Sequence, residues 1–512
     1  MMWIGWDYLN LFSPLVSLGI LCGEKNPTFI FKKMCYKPCM EWILKRIRPV
    51  INLKNIMISG KEVCPIIEGG KGINATNGFS SGHFAKEGCV GTISLVSADY
   101  YDENGNAVLE RSTKLKRQER HEDLIAGAIK GGIKQAQIAH EIAGDNGRIH
   151  ANELWELADS EIVIREVLKE TKGLIHGVTC GAGLPYKLGE IASENGVYYY
   201  PIVSSSRALQ ILWKRAYSKY SEFLGGVVYE DPWLAGGHNG LSNAENPNEP
   251  QDPYDRIKDL RATMNSLGLQ NIPVIIAGGV WCLSEWEKYI ENPEIGLVAF
   301  QFGTRPMITK ESPVSDEWKK VMLNTKPGDV ALQLFSPTGF YSSAIKNKFL
   351  LRLMERKEGE ILFSAEQNDE FDTELALSQV KKVYIKSADL AKANNQINAG
   401  FSVIQETPDS TVVFLTPEEW ATMKNDRAKC VGCLSQCQFS SWSGLKGTTG
   451  KICDPRTYCI HKTLVDIGHG GSVDDNLLFA GHQVYRFAKD PLYANGNIPT
   501  THELIEAIKA GR

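Results

Sequence analysis

The stretch Pro273-Val274-Ile275-Ile276-Ala277-Gly278-Gly279, followed by Leu297-Val298-Ala299-Phe300-Gln301-Phe302-Gly303-Thr304-Arg305, decides the fold. Each half is a short, almost unbroken apolar run ending in glycine, the pattern of a strand buried on both faces and delivered into a tight turn. Between them, Leu283-Ser284-Glu285-Trp286-Glu287-Lys288-Tyr289-Ile290 carries a helical pattern with Ser284 as its expected N-cap. Strand, helix and strand in this order describe a parallel unit whose strand ends lie on one face.

The unit repeats along the chain. Strands are expected at 63–68, 90–94, 148–154, 174–180, 197–203, 225–229, 273–277 and 297–302, and helices at 123–142, 161–171, 186–194, 206–220 and 253–267. Eight strands alternating with helices favour a (β/α)8 TIM barrel, an α/β fold, over an open doubly wound sheet. In a barrel the loops after the seventh and eighth strands commonly bind phosphate through backbone N–H groups, a role open to Gly278, Gly279, Gly303 and Thr304. Gly69-Gly70-Lys71-Gly72 after the first strand lacks the spacing of a dinucleotide fingerprint and does not lead directly into a helix.

The second informative stretch is Ala235-Gly236-Gly237-His238-Asn239-Gly240, directly after the sixth strand. Paired glycines let the backbone approach a ligand closely, and the imidazole that follows is a candidate base. The competing reading is an ordinary loop histidine.

The order Pro65-Ile66-Ile67-Glu68-Gly69-Gly70, Ala235-Gly236-Gly237-His238, Ala277-Gly278-Gly279 and Gln301-Phe302-Gly303-Thr304 resembles the nitronate monooxygenase (2-nitropropane dioxygenase) family, whose FMN-bound barrel is shared with enoyl-thioester reductases. The resemblance covers roughly residues 60–310. It implies that His238 is the catalytic base and that Gly69, Gly70, Asn152, Gly236, Gly237, Gly278, Gly279, Gln301, Phe302, Gly303 and Thr304 surround FMN. The implied reaction is oxidation of alkyl nitronates or nitroalkanes by oxygen to a carbonyl compound and nitrite. Two alternatives remain: an NAD(P)H-dependent FMN reductase of enoyl thioesters or quinones, and a flavin-binding partner subunit that passes electrons to another protein. Where many relatives carry glutamine and glutamate before the histidine, this chain has Glu230-Asp231-Pro232-Trp233-Leu234, a departure that bears on the substrate.

With 512 residues and 43% hydrophobic composition the chain can bury a large core in more than one domain. The organisation expected is an N-terminal extension over 1–55, the barrel over 56–330 and a C-terminal appendage over 331–512. A net charge of −4 gives no reason to expect a nucleic-acid surface. The apolar segment 8–22 is short for a membrane span and contains Pro14, so a cytoplasmic enzyme acting on a small molecule, possible as a homo-oligomer, is the expectation. The polar stretches 97–120 and 243–252 are candidate lid or substrate-selecting loops.

Twelve cysteines in so long a chain do not suggest a disulfide scaffold. Cys64, Cys89, Cys180 and Cys282 stand singly in strand surroundings and are expected to be buried small side chains. Cys430-Val431-Gly432-Cys433-Leu434-Ser435-Gln436-Cys437 is different: its C-x2-C-x3-C spacing, with Cys459 or Cys453 to follow, can hold an iron–sulfur cluster or zinc, or leave free thiols. The spacing resembles the cluster segment of flavoenzymes related to trimethylamine dehydrogenase.

Overall fold

A computed structural model describes residues 53–109 and 112–512. The expected N-terminal extension falls almost wholly outside these residues. Eight parallel strands close into a barrel: β1 (Ile66–Glu68), β2 (Val90–Ser94), β3 (Arg148–Leu154), β4 (Gly177–Gly181), β5 (Tyr198–Val203), β6 (Val227–Glu230), β7 (Val274–Ala277) and β8 (Val298–Phe302). The closing pair sets Phe300 against Ile66 and Phe302 against Glu68, so all eight strand ends emerge on one rim. All residues of β2, β4 and β7 are buried, which explains why they read as continuous apolar or small-residue runs without alternation.

Five helices lie where the periodicity placed them: α2 (Arg117–Ala143), α3 (Ser160–Glu170), α4 (Leu188–Asn195), α5 (Ser206–Arg215) and α6 (Pro253–Ser266), with α1 (Gly78–Lys86) before them. The segment after β7 differs from expectation. Instead of a helix capped by Ser284 it forms two single 3-10 turns, Leu283–Glu285 and Glu287–Tyr289, with Cys282 as the residue before the first. Leu283 and Tyr289 are buried and Trp286 packs on Tyr289 and Phe300, so tertiary packing of the aromatic side chains prevails over helical spacing.

The barrel interior is filled at its N-terminal end by Ile67, Val90, Tyr200, Val228, Ile275 and Ala299. A hairpin, Ile56–Ile58 paired with Lys61–Val63, closes that end with Ile58 and Val63. Ser59 in its turn hydrogen-bonds His150 (2.9 Å) and Tyr200 (2.7 Å), which gives two buried polar side chains partners. With the bottom sealed, only the C-terminal rim is free to hold a ligand.

The chain after the barrel is built onto that rim. Strand β9 (Val330–Gln333) pairs with β10 (Ser342–Ile345), and β10 pairs in turn with the short strand Gly237–His238. The periodicity of residues 343–356 predicts a helix there; residues through Ile345 instead form β10, and the helix, α7 (Lys348–Glu358), begins only after Asn347 caps it. One apolar core joins Ile73, Val96 and Trp281 of the rim loops to Leu350, Leu434, Trp442, Leu464 and Leu478 from beyond the barrel. A smaller cluster of Ile361, Leu375, Val383, Ile385, Ile404, Val412 and Phe414 forms its own core among four-residue and shorter strands and Thr411–Leu415. Among the described residues no helix is long and apolar enough to cross a membrane.

Candidate functional site

A cavity opens over the C-terminal rim of the barrel. Gly69, Gly70, Asn152, Gly236, Gly237, His238, Gly278, Gly279, Gln301, Gly303 and Thr304 all line it, although they come from five separate segments. Phe302 does not: it is fully buried, and its carbonyl oxygen instead accepts the Gly69 N–H at 2.9 Å, helping to close the barrel. Alternation along β8 accounts for this, since Gln301 and Phe302 must face opposite sides.

Gly278 and Gly279 have φ of +82° and +77°, which side chains disfavour, and a Cβ on them would come within 2.9 Å of the Asp231 nitrogen and 2.7 Å of Leu234. These two glycines turn the chain sharply at the end of β7. Gly303 is different, because a Cβ there would meet nothing within 4 Å and would project into the opening. The turns after β7 and β8 are hydrogen-bonded neighbours, since β7 and β8 pair directly. The Thr304 hydroxyl accepts the Gly481 N–H at 2.9 Å, which ties this turn to the C-terminal segment.

His238 sits at the cavity wall in a strand, not a free loop. Its Nε2 hydrogen-bonds the Ser336 hydroxyl at 2.7 Å, and Ser336 contacts the Thr338 hydroxyl at 2.9 Å. The Phe479 ring meets the imidazole edge to face, 5.1 Å between centroids. Burial lowers the His238 pKa to about 4, so the ring is neutral at ordinary pH and able to take a proton. Thr338 also borders a second cavity.

Three titratable side chains at the cavity stand outside the expected set of site residues. Glu153, beside Asn152 on β3, is 1% exposed and accepts only a hydrogen bond from the next residue's N–H, at 3.0 Å; burial raises its pKa to about 8. Glu230, at the end of β6, is likewise raised to about 8 by burial and by the adjacent Asp231. Lys71 is pulled down to about 8 by burial, partly offset by Glu68, and its ammonium donates to the Gly69 carbonyl at 2.5 Å. Position at a strand end is the signal that could have found Glu153 and Lys71.

The unusual approach to His238 folds away from the cavity except at its two ends, Glu230 and Leu234. Asp231 accepts the backbone N–H groups of Trp233 (3.0 Å) and Leu234 (2.9 Å), the geometry of an Asx turn. Trp233 is buried and donates through Nε1 to the Asn246 carbonyl at 2.9 Å, with the Arg256 guanidinium 5.1 Å from its ring centre. Arg256 also binds Glu245 and the Ser204 carbonyl. The polar loop 243–252 is therefore anchored by Trp233 and Arg256.

The wall opposite the barrel comes from the appendage: Thr338, Cys433, Leu434, Ile460, His461, Leu464, Phe479 and Gly481. Cys64, Cys89, Cys180 and Cys282 are buried, as expected. Cys430 and Cys437 are buried, while Cys433 and Cys459 are half-buried. Among the described residues, no three His, Cys, Asp or Glu side chains converge as ligands of a single metal ion.

A sequence model described as nitronate monooxygenase matches residues 130–412, more than half of the chain. The chain belongs to the nitronate monooxygenase family. Its membership makes it an FMN-dependent oxidoreductase, and its closed barrel is the fold that the resemblance implies. No curated protein matches the chain. Among solved structures it is similar to FabK from Thermotoga maritima, at 14% identity over 87% of this chain and 91% of that one, with a TM-score of 0.46. Nitroalkane oxidase from Streptomyces ansochromogenes aligns at 11% identity over 87% and 95%, TM-score 0.47. The enoyl reductase domain of MlnA from Bacillus amyloliquefaciens aligns at 12% over 87% and 93%, TM-score 0.48.

Proposed function

We propose that this chain oxidises alkyl nitronates or nitroalkanes with oxygen to carbonyl compounds and nitrite, with FMN seated across the barrel rim and His238 as base. The observation that carries the reading is a neutral imidazole at a cavity wall, fixed by Ser336 and Phe479 and opposed by glycine turns. FMN fits the residues present: Gly303 leaves open the space a side chain would fill, and the adjacent turns at Gly278-Gly279 and Gly303-Thr304 would offer backbone N–H groups to its phosphate. Gly69, Gly70, Asn152 and Gln301 would border its ring system, and Gly236 and Gly237 the side facing His238.

His238 would remove the acidic proton from the α-carbon of a nitroalkane, leaving a nitronate; Ser336 holds the ring in position for this and offers a route for the proton toward Thr338. When bound, FMN supplies the electron acceptance that the polypeptide lacks. Neutral Glu153 and Glu230 keep the cavity free of fixed negative charge near an anionic nitronate. A small organic substrate is the partner this cavity suits.

A second reading, an NAD(P)H-dependent enoyl-thioester or quinone reductase, is favoured by one feature. The cavity runs on between α2 and α3 along Leu124, Ile125, Ala128, Leu157 and Val163, an apolar arm suited to a longer chain. Anaerobic stopped-flow mixing decides between the two. Fast bleaching of the flavin by a nitronate and slow bleaching by NAD(P)H supports the first; the reverse order overturns it.

A further inference from the structure

In the turn after β1, Gly69-Gly70-Lys71-Gly72, Lys71 alone carries a side chain, and the glycines on either side of it have no room for one. A Cβ at Gly70 would lie 2.2 Å from Asn152, and one at Gly72 would lie 2.6 Å from Val96. The backbone of Lys71 is pinned as well: its N–H donates to the Thr76 hydroxyl at 2.9 Å, and its carbonyl accepts the N–H groups of Ala75 and Thr76, each at 3.1 Å. A turn fixed in this way delivers its one side chain to one place, and Lys71 lines the flavin cavity.

The ammonium there is short of partners. Of its three N–H donors one goes to the Gly69 carbonyl at 2.5 Å; among the described residues the other two have no acceptor, and no carboxylate forms an ion pair with it. Glu68 favours the charged form through space, but its Oε2 accepts the Ser81 hydroxyl at 2.8 Å and the Thr92 N–H at 3.4 Å. Arg305, the other cation on the cavity wall, is held by Asp490 (2.9 Å) and by the backbone oxygens of Trp281 (2.6 Å) and Arg512 (2.7 Å). Of the carboxyls on that wall, burial keeps Glu153 and Glu230 protonated at neutral pH, and Glu156 accepts the Ser435 hydroxyl at 3.1 Å. An ammonium drawn out of water with two donors unused is costly unless a ligand completes it.

We propose that Lys71 is an anion site within the flavin cavity, taking the oxygen atoms of a small planar oxyanion such as a nitronate or nitrite. Two N–H groups on one nitrogen suit two oxygens that share a negative charge, and hydrogen bonds of this charge-assisted kind are about twice as strong as neutral ones. The glycines beside Lys71 touch Asn152 of β3 and Val96 after β2, which places it on that sector of the rim. The turns at Gly278-Gly279 and Gly303-Thr304, proposed for the FMN phosphate, follow β7 and β8 instead. That the oxyanion is the nitronate consumed or the nitrite released rests on the proposed oxidation of nitronates; that the ammonium takes an anion does not.

The test titrates the FMN-loaded full chain with sodium nitrite and, in parallel, sodium acetate, at an ionic strength held constant with chloride, and follows the flavin absorbance. Lys71→Met should raise the apparent Kd for both anions by at least about tenfold, Lys71→Arg should recover most of the loss, and FMN affinity should be unchanged in both. In the unaltered chain, nitrite should also slow carbamylation of Lys71 by cyanate, read by peptide mass spectrometry; this measurement decides if circular dichroism shows the variants unfolded. A folded Lys71→Met protein that binds nitrite as the parent does overturns the proposal, and so does carbamylation that nitrite leaves unslowed. A Lys71→Met protein whose loss is in FMN affinity alone overturns it too, by making the ammonium a partner of the flavin. Nitronates that fail to bleach the flavin would remove the proposed reaction, while nitrite binding through Lys71 would still establish the site.

Discussion

The two walls of the cavity obey different rules. The barrel wall is made of strand ends, and each of its residues is placed by a short segment whose own sequence says what it is. The opposite wall, from Ser336 to Gly481, consists of turns and short strands that have their positions only because they lie on the barrel. His238 belongs to both: the end of β6 delivers it, while Ser342 and Ser336 from beyond the barrel hold it. The residues proposed to border the cofactor thus belong to the barrel wall, whereas the geometry of the proposed base depends on chain more than ninety residues away.

The sharpest way to break this comparison is His238→Asn. If His238 is the base, nitroalkane turnover falls by about 10²–10⁴-fold while turnover of preformed nitronate is nearly kept. Equal loss on both substrates, measured by oxygen uptake, would reduce the histidine to a packing element.

Glu153→Gln tests the barrel wall through pH. The Glu153 carboxyl has a folded-state pKa raised to about 8 against an ordinary 4.5, so between those values the folded chain keeps a proton that the unfolded chain has released. Stability then declines as pH rises through this window, by a few kcal/mol at most, and levels off above pH 8. Glutamine does not titrate, so the variant should gain on the parent from pH 5 to pH 8 in thermal melts. Parallel melting curves at every pH would show that burial of this carboxyl costs the fold nothing.

Gly303→Val should leave the fold intact, because the position is exposed, and weaken FMN by at least about tenfold, roughly 1.4 kcal/mol. Flavin titration of the apoprotein reads this directly, and unchanged affinity would move the cofactor away from the β8 turn. The smallest effect is expected on the other wall. Ser336→Ala removes one hydrogen bond, about 1 kcal/mol, and should lower nitroalkane kcat/KM by about three- to tenfold. It should leave FMN affinity unchanged; a loss of FMN would mean that the two walls are not separable.

How much of this was legible beforehand follows the same division. The eight strands and five helices stand where their periodicity put them, because burial on both faces leaves an apolar run with turn residues at its ends. Gly278, Gly279, Gly303 and Thr304 were read from their places at strand ends and the cavity's other expected glycine, glutamine and asparagine residues from the family resemblance, while Phe302 was misplaced only by the alternation of β8. The helix expected at Leu283 was not realised and the one expected over 343–356 starts only at Lys348, since aromatic packing on Tyr289 and pairing with Gly237–His238 prevail over local spacing. Ser336, Thr338 and Phe479 carry no local pattern at all.

The sequence by itself therefore determined the barrel, the rim and the order of residues around it, because these depend on neighbours a few positions apart. Only the tertiary structure decided what His238 touches and which way Trp233 turns. Those outcomes depend on segments far apart in the chain meeting over one opening, where burial sets the charge of Glu153, Glu230 and His238.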